Sequence, residues 1–258
     1  MKVAISISGE TRNHNDPGVY EQFWDHMDEF TTGHECDFYG HTWTRCDSPK
    51  SEYKVKRFIK TDKNEIWETF ARRNIFNAIP FNRTDDPRFI EIVEDTETGA
   101  FAKWCRDRID VSYGQFWSFY NSFKDVDVSN YDICIRWRWD HTVMPKNIDR
   151  FWEHIDYLLT VKTGMQQHVG VYVASPGNSL AMHDCAFALK PVALQKIYSA
   201  PIAKSMERTI IKNHPGRWDA HRLWNTWLQE LGIEIGHGHP LISSSLYKAE
   251  RPYKYWQN

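Results

Sequence analysis

Lys2-Val3-Ala4-Ile5-Ser6-Ile7-Ser8-Gly9 is a near-continuous apolar run that ends in small polar residues. A strand buried on both faces needs such a run, and the small residues mark where it empties into a loop at its C-terminal edge. Working outward, residues 19–30 carry Phe23, Met27 and Phe30 at helical spacing, and Glu35–Trp43 reads as a second short strand. Strand, helix, strand is the opening of an α/β sheet.

Further along, residues 46–59 are polar and rich in Lys and Arg, residues 64–78 show helical periodicity, and residues 83–99 carry loop signals in Asp85, Asp86, Pro87 and Gly99. Residues 101–123 read as a strong helix with Trp104, Ile109, Tyr113, Phe116, Trp117 and Tyr120 on one broad face. Tyr131-Asp-Ile-Cys-Ile-Arg136 starts as a buried strand and then presents alternating cations and tryptophans before Asp140, as a strand does when it points polar groups into a cleft. Residues 155–161 and 169–174 read as strands; residues 185–198, which contain Pro191, and residues 217–231 read as helices. No internal repeat, low-complexity tract or linker stands out.

With 258 residues, 41% hydrophobic and 26% charged, the chain is large enough for one globular unit. Its mean hydropathy is -0.63. No run approaches the roughly 20 apolar residues of a membrane span, and Met1 to Ser6 leads straight into a strand rather than a signal peptide. A cytoplasmic protein is expected. Lys and Arg number 32 against 34 Asp and Glu, a net charge of -2, so there is no bulk attraction to nucleic acid or anionic membranes. Cys36, Cys46, Cys105, Cys134 and Cys185 are scattered with no Cys-x-x-Cys, which predicts free thiols and no structural zinc. The 12 Trp, 12 Tyr and 14 Phe suit stacking on sugar rings or bases as well as core packing.

Ser6-Ile7-Ser8-Gly9-Glu10-Thr11-Arg12 sets the hydroxyls and N–H groups of a strand end beside an arginine, whose fork can grip phosphate. A polar loop with one surface arginine explains these residues equally well. There is no Gly-x-Gly-x-x-Gly and no Gly-Lys-Ser/Thr, so a dinucleotide-dependent dehydrogenase and a P-loop ATPase lack their signatures. In Arg136-Trp137-Arg138-Trp139-Asp140-His141, strand alternation puts Arg136, Arg138 and Asp140 on one face and Trp137, Trp139 and His141 on the other. The group is either a structural ion pair or a site where Arg138 neutralises a diphosphate while Asp140 holds Mg²⁺ or Mn²⁺ through oxygen.

Four blocks in order resemble a group of GT-A-like glycosyltransferases found in bacteria, large viruses and phages. They are Ser8-Gly9-x-x-Arg12, Cys36-Asp-Phe-Tyr-Gly-His41-Thr42-Trp43, Gln115-Phe-Trp-Ser118-Phe-Tyr-Asn121 and Tyr131-Asp-Ile-Cys-Ile-Arg136-Trp-Arg138-Trp-Asp140. The resemblance covers about the first 190 residues. It implies an α/β, GT-A-like (Rossmann-like) fold with a mixed, mainly parallel sheet flanked by helices. Residues 1–258 would form one domain, nucleotide-binding over about 1–145 and acceptor-side over about 146–258. It further implies transfer of a sugar from a nucleotide-diphosphate sugar, expected to be a UDP-sugar, to a hydroxyl. Ser8, Gly9 and Arg12 would hold the nucleotide diphosphate, Thr42, Arg136 and Arg138 would lie near the phosphates, and Asp140 would hold Mn²⁺ or Mg²⁺.

Three positions depart from the pattern: Glu10 stands where Gln is usual, Trp139 where Pro is usual, and Arg138 at the first acid of the Asp-x-Asp metal motif. An arginine there takes over part of the metal's charge-neutralising role. His183-Asp184-Cys185-Ala-Phe187 is similar to the family's Asp-Gln-Phe segment, which makes Asp184 a general base or, alternatively, the N-cap of a following helix. Asp219, in Arg217-Trp218-Asp219-Ala-His221-Arg222, is a rival base that equally reads as half of a surface ion pair. His239, in Gly236-His237-Gly238-His239-Pro240, is either a further metal ligand or part of a turn.

The acceptor is either a glycan or small molecule, or a hydroxylated pyrimidine base in phage DNA. For DNA, Lys54-Val-Lys56-Arg57-Phe58-Ile-Lys60, Arg72-Arg73 and Arg106-Asp-Arg108 offer phosphate-tracking patches or plain solvated faces. A sugar-nucleotide- or carbohydrate-binding protein without catalysis, and a nucleic-acid-binding module without sugar chemistry, are the alternatives.

Overall fold

The computed structural model of the chain describes residues 1–9, 17–43, 76–81, 114–138, 141–143, 148–160, 170–171, 186–200, 220–233, 235–236 and 246–248. The elements are β1 (Lys2–Ser8), α1 (Pro17–Thr31), β2 (Glu35–Trp43), β3 (Phe76–Phe81), α2 (Gly114–Phe123), β4 (Ile133–Trp137), β5 (His141–Val143) and α3 (Ile148–Thr160). They continue with β6 (Gly170–Val171), β7 (Ala186–Leu189), α4 (Pro191–Ser199), α5 (Ala220–Glu230), β8 (Ile235–Gly236) and β9 (Leu246–Lys248). Seven strands form one sheet in the order β3-β2-β1-β4-β7-β6-β8. β3, β2, β1 and β4 are mutually parallel, β7 is antiparallel to β4 and β6, and β8 is parallel to β6. The sheet is therefore mixed and mainly parallel, with only β7 running against the rest. Its strands come from both stretches expected to form nucleotide and acceptor parts. β5 and β9 pair separately as an antiparallel ribbon.

Strand alternation sorts the core into two layers. On one face Val3, Ile5 and Ile7 of β1 and Ile133, Ile135 and Trp137 of β4 pack under α1 and α3, through Phe23, Trp24, Met27, Phe30, Phe151 and Trp152. The Trp152 indole stacks on Phe30 at 4.8 Å and donates to the Phe30 carbonyl at 2.7 Å, tying α3 to α1. On the other face Ala4, Cys134, Phe187 and Leu189 meet Phe116, Phe119 and Phe123 of α2, Leu194 and Ile197 of α4, and Trp224, Trp227 and Leu228 of α5. Arg136 and Trp137 point to opposite faces, as their alternation requires.

Four expectations change. Residues 155–161 are not a strand: Ile155 continues the helical spacing of Ile148, Phe151 and Trp152, and α3 runs to Thr160. Residues 185–198 are not one helix, because Ala186–Leu189 forms β7 and Pro191 starts α4 at its first position, where proline's missing N–H costs nothing. Lys190 occupies the N-cap of α4, so Asp184 is not that cap. Phe76 to Ala78 belong to edge strand β3 rather than a helix; Pro80 is tolerated there because an edge has a free side. Within the stretch 101–123 the helix is α2, Gly114–Phe123, with Phe116, Phe119 and Phe123 as its buried stripe; residues 101–113 lie outside the described residues. Cys36 and Cys134 are free thiols; the other three cysteines lie outside the described residues. Among the described residues no helix is long and apolar enough to cross a membrane.

Candidate functional site at the carboxyl edge of the sheet

β2 lies on one side of β1 and β4 on the other, so the winding direction reverses at β1. In open α/β sheets the crevice outside the strand carboxyl ends, at that reversal, is where ligands bind. Here that edge is built by Ser8 at the end of β1 and Gly9 after it, His41 to Trp43 at the end of β2, and Arg138 after β4. Because β7 runs against β4, its first residue, Ala186, sits level with Trp137 at the same edge. β8, parallel to β6, also runs towards it.

The α2-facing side of β1 turns polar towards this edge, from Ala4 through Ser6 to Ser8. Ser122 donates to the Phe119 carbonyl at 2.7 Å, so the 2.6 Å contact between Ser6 and Ser122 is donated by Ser6. One turn nearer the start of α2, the Ser118 hydroxyl donates to the His41 carbonyl at 2.8 Å and accepts the Gly9 N–H at 2.8 Å. His41 Nδ1 lies 3.0 Å from the same oxygen. Gly9 N–H also reaches the His41 carbonyl at 3.2 Å. Gly9 has φ +115°, a conformation L side chains rarely adopt, and no described atom lies within 4 Å of a Cβ built there. What Gly9 gives the edge is thus a turn and open space, since its N–H is already engaged.

Ser8 is wholly buried, and its hydroxyl has no hydrogen-bond partner among the described residues. An unmet buried hydroxyl costs about 1–3 kcal/mol, so it stands ready for a ligand atom at the strand end. Arg136, 1% exposed, lies beside Ser6 in register and holds its guanidinium 5.2 Å from the Trp224 ring and 5.6 Å from the Phe187 ring. Trp224 is itself stacked on Phe116 at 4.0 Å. The two ring faces attract the guanidinium in this low-dielectric setting and hold it under the edge. Arg138, half-buried, follows at the strand end.

The solved structure of mouse xyloside xylosyltransferase 1 in its apo form resembles this chain. The identity is 10% and the TM-score 0.40, over 92% of this chain and 85% of that one. That likeness is too distant to give any residue a role. No family model and no curated protein matches the chain.

Of the residues expected at a site, Ser8, Gly9, Arg136 and Arg138 gather on or just beneath this edge, and Thr42 lies in β2 beside Pro80 of β3. Arg12, Asp140, Asp184, Asp219 and His239 lie outside the described residues, as do the basic patches at 54–60, 72–73 and 106–108. Among the described residues no group of three His, Cys, Asp or Glu would hold a metal ion. His41 and Ser118 belong to the blocks that carry the resemblance, and the sequence alone assigns them no role. The available signal was Ser118 and Ser122, four apart and therefore on one face of a helix otherwise lined with aromatics.

A second hollow, of about 490 Å³, opens by Lys2, Asp125, Asp127 and Tyr131. Of its two acids, Asp127 caps its own turn through Ser129, which with Asn130 holds its carboxyl below the usual range. The Tyr131 hydroxyl donates to Asp37 at 2.7 Å, and burial, with the Tyr39 and Asp37 contacts, raises its phenol far above the usual value.

Proposed function

We propose that the chain is a GT-A-like glycosyltransferase that moves a sugar from a nucleotide-diphosphate sugar, with UDP-sugar as donor, to a hydroxyl acceptor. The observation that carries this reading is the buried Ser8 hydroxyl, unmet among the described residues, at the carboxyl end of the reversal strand above the Arg136 cation.

In this reading Ser8, the Gly9 turn and Arg12 hold the nucleotide diphosphate, with Thr42 and Arg138 near the phosphates. Charge accumulates on the leaving diphosphate as the glycosidic bond breaks. Arg138 stabilises that charge more in the transition state than in the bound donor, and Arg136 adds a fixed positive field from below. Asp184, two residues before β7 in sequence, or Asp219, one residue before α5, takes the acceptor proton. Asp140 and His239 would hold Mn²⁺ or Mg²⁺, which would supply further charge neutralisation. The sequence offers a guanidinium, Arg138, at the first acid of the Asp-x-Asp motif.

The test is nucleoside diphosphate release from UDP-, GDP- and dTDP-sugars, and CMP release from CMP-sugars, with Mn²⁺ or Mg²⁺, with and without DNA containing 5-hydroxymethylcytosine. Release stimulated by that DNA selects a base in DNA as acceptor. Slow hydrolysis indifferent to DNA selects a glycan or small molecule. Binding of a donor with no release from any makes the chain a sugar-nucleotide-binding protein and refutes the enzyme reading.

A further inference from the structure

A hydroxyl has one proton to give and two lone pairs to accept with. Ser118 uses all three: it donates to the His41 carbonyl at 2.8 Å, accepts the Gly9 N–H at 2.8 Å, and faces His41 Nδ1 at 3.0 Å. Its proton being committed to the carbonyl, the third contact closes only if His41 Nδ1 carries a proton and donates. His41 Nδ1 therefore carries a proton and donates it to Ser118. Ser118, His41 and Gly9 are all buried, so water does not compete. The contacts join a helix to strand ends 77 and 109 residues away in sequence.

We propose that Ser118 is a positioning residue of the ligand-binding edge, holding the proton on His41 Nδ1 and locking the ends of β1 and β2 to each other. Its effect on ligand rests on the reading of this edge as a nucleotide diphosphate site; the Nδ1 proton does not. One oxygen sets the height of Gly9 relative to His41, and hence where Ser8 on one strand and Thr42 on the other stand. A positioning error of about 1 Å is enough to weaken a preorganised site substantially.

The experiment uses the full chain with ¹⁵N-labelled histidine. His41→Asn identifies the His41 signals by their loss. His41 is expected to show a protonated Nδ1, and Ser118→Ala lowers the share of Nδ1 that carries the proton while Ser118→Thr does not. UDP affinity is then measured by calorimetry. Ser118→Ala is expected to weaken it about tenfold, and His41→Asn, whose amide N–H takes the place of Nδ1–H, to weaken it less than His41→Gln does. Wild-type His41 unprotonated on Nδ1, or an Nδ1 proton unchanged in Ser118→Ala, overturns the proposal, as does unchanged UDP affinity in Ser118→Ala where the wild type binds. No UDP binding by the wild type refutes the nucleotide reading, and the Nδ1 spectrum alone then decides the lock.

Discussion

Removing the Ser122 hydroxyl should cost more than removing its partner's, and removing both should cost less than removing Ser122's alone. Both side chains are wholly buried, and the direction of their bond is fixed because the Ser122 proton goes to the Phe119 carbonyl. Ser6→Ala takes away a donor whose acceptor keeps its own bond, a loss of about 1 kcal/mol. Ser122→Ala loses the bond to Phe119 and strands the Ser6 O–H inside the protein, about 2–3 kcal/mol in all. The double variant has no stranded hydroxyl and should lie about 1–2 kcal/mol below wild type, so adding Ser6→Ala to Ser122→Ala restores stability. Serine to alanine leaves almost no cavity, which keeps packing out of the comparison. Urea unfolding followed by tryptophan fluorescence, with equal slopes for all four proteins, reads the differences as midpoint shifts. Additive losses, or a larger loss for Ser6→Ala than for Ser122→Ala, would refute the assigned direction.

Trp224→Ala should lose about 3–5 kcal/mol in the same assay, since this buried ring joins α5 to Phe116, Phe187 and Arg136; a loss under about 1 kcal/mol would contradict its place in the core. Gly9→Ala should lower stability by about 1–3 kcal/mol through backbone conformation alone, because no described atom meets the new methyl; unchanged thermal unfolding would mean that φ +115° is not kept. Burial pushes the Cys134 thiol up to about 12, while an unfolded thiol ionises near 9. Its contribution is therefore complete below pH 9 and is lost as pH rises towards 12, by up to about 1.4 kcal/mol per pH unit. Cys134→Ala should flatten that alkaline decline, and an unchanged slope counts against the burial. Arg138→Ala and Asp140→Ala should each abolish donor turnover with the circular dichroism spectrum intact; near-normal turnover in either would sink its assignment.

The first third of the sheet is legible because its periods are unambiguous: β1 is unbroken in its apolar run and α1 repeats Phe23, Met27 and Phe30 at helical spacing. The misread stretches are short and dense. From Ile155 the apolar residues cluster so closely that a strand fits, and only Ile148, Phe151 and Trp152 upstream reveal the helical phase. Ala186–Leu189 is four apolar residues with no period of its own; what makes it a strand is pairing with β4. The site divides in the same way. Ser8 and Gly9 announce a strand end locally, but the His41 to Ser118 contact joins residues 77 apart, and no local pattern encodes such a pairing. Arg136 was read as a groove residue by alternation, which gives the face correctly, while its burial between two rings depends on α5 and β7.

The two faces of β1 show how one strand serves both core and edge. Val3, Ile5 and Ile7 stay apolar to the end on the α1 side, whereas Ala4, Ser6 and Ser8 grow polar on the α2 side. α2 matches that gradient: Ser122 meets Ser6, and Ser118, one turn nearer the helix start, meets Gly9 and His41. The helix therefore runs against the strand and brings its amino end, the positive end of its dipole, to the carboxyl edge. The buried Arg136 cation and the half-buried Arg138 lie at the same end of the sheet. Hydroxyls, a helix start and two guanidinium groups suit an acceptor-rich, negatively charged group, while the described side chains packed between β1 and α1 are aliphatic and aromatic. On the proposed reading the nucleotide diphosphate meets the α2 side of β1, and charge loss at Arg138 should weaken its hold there more as ionic strength falls, because screening then masks less of the missing attraction.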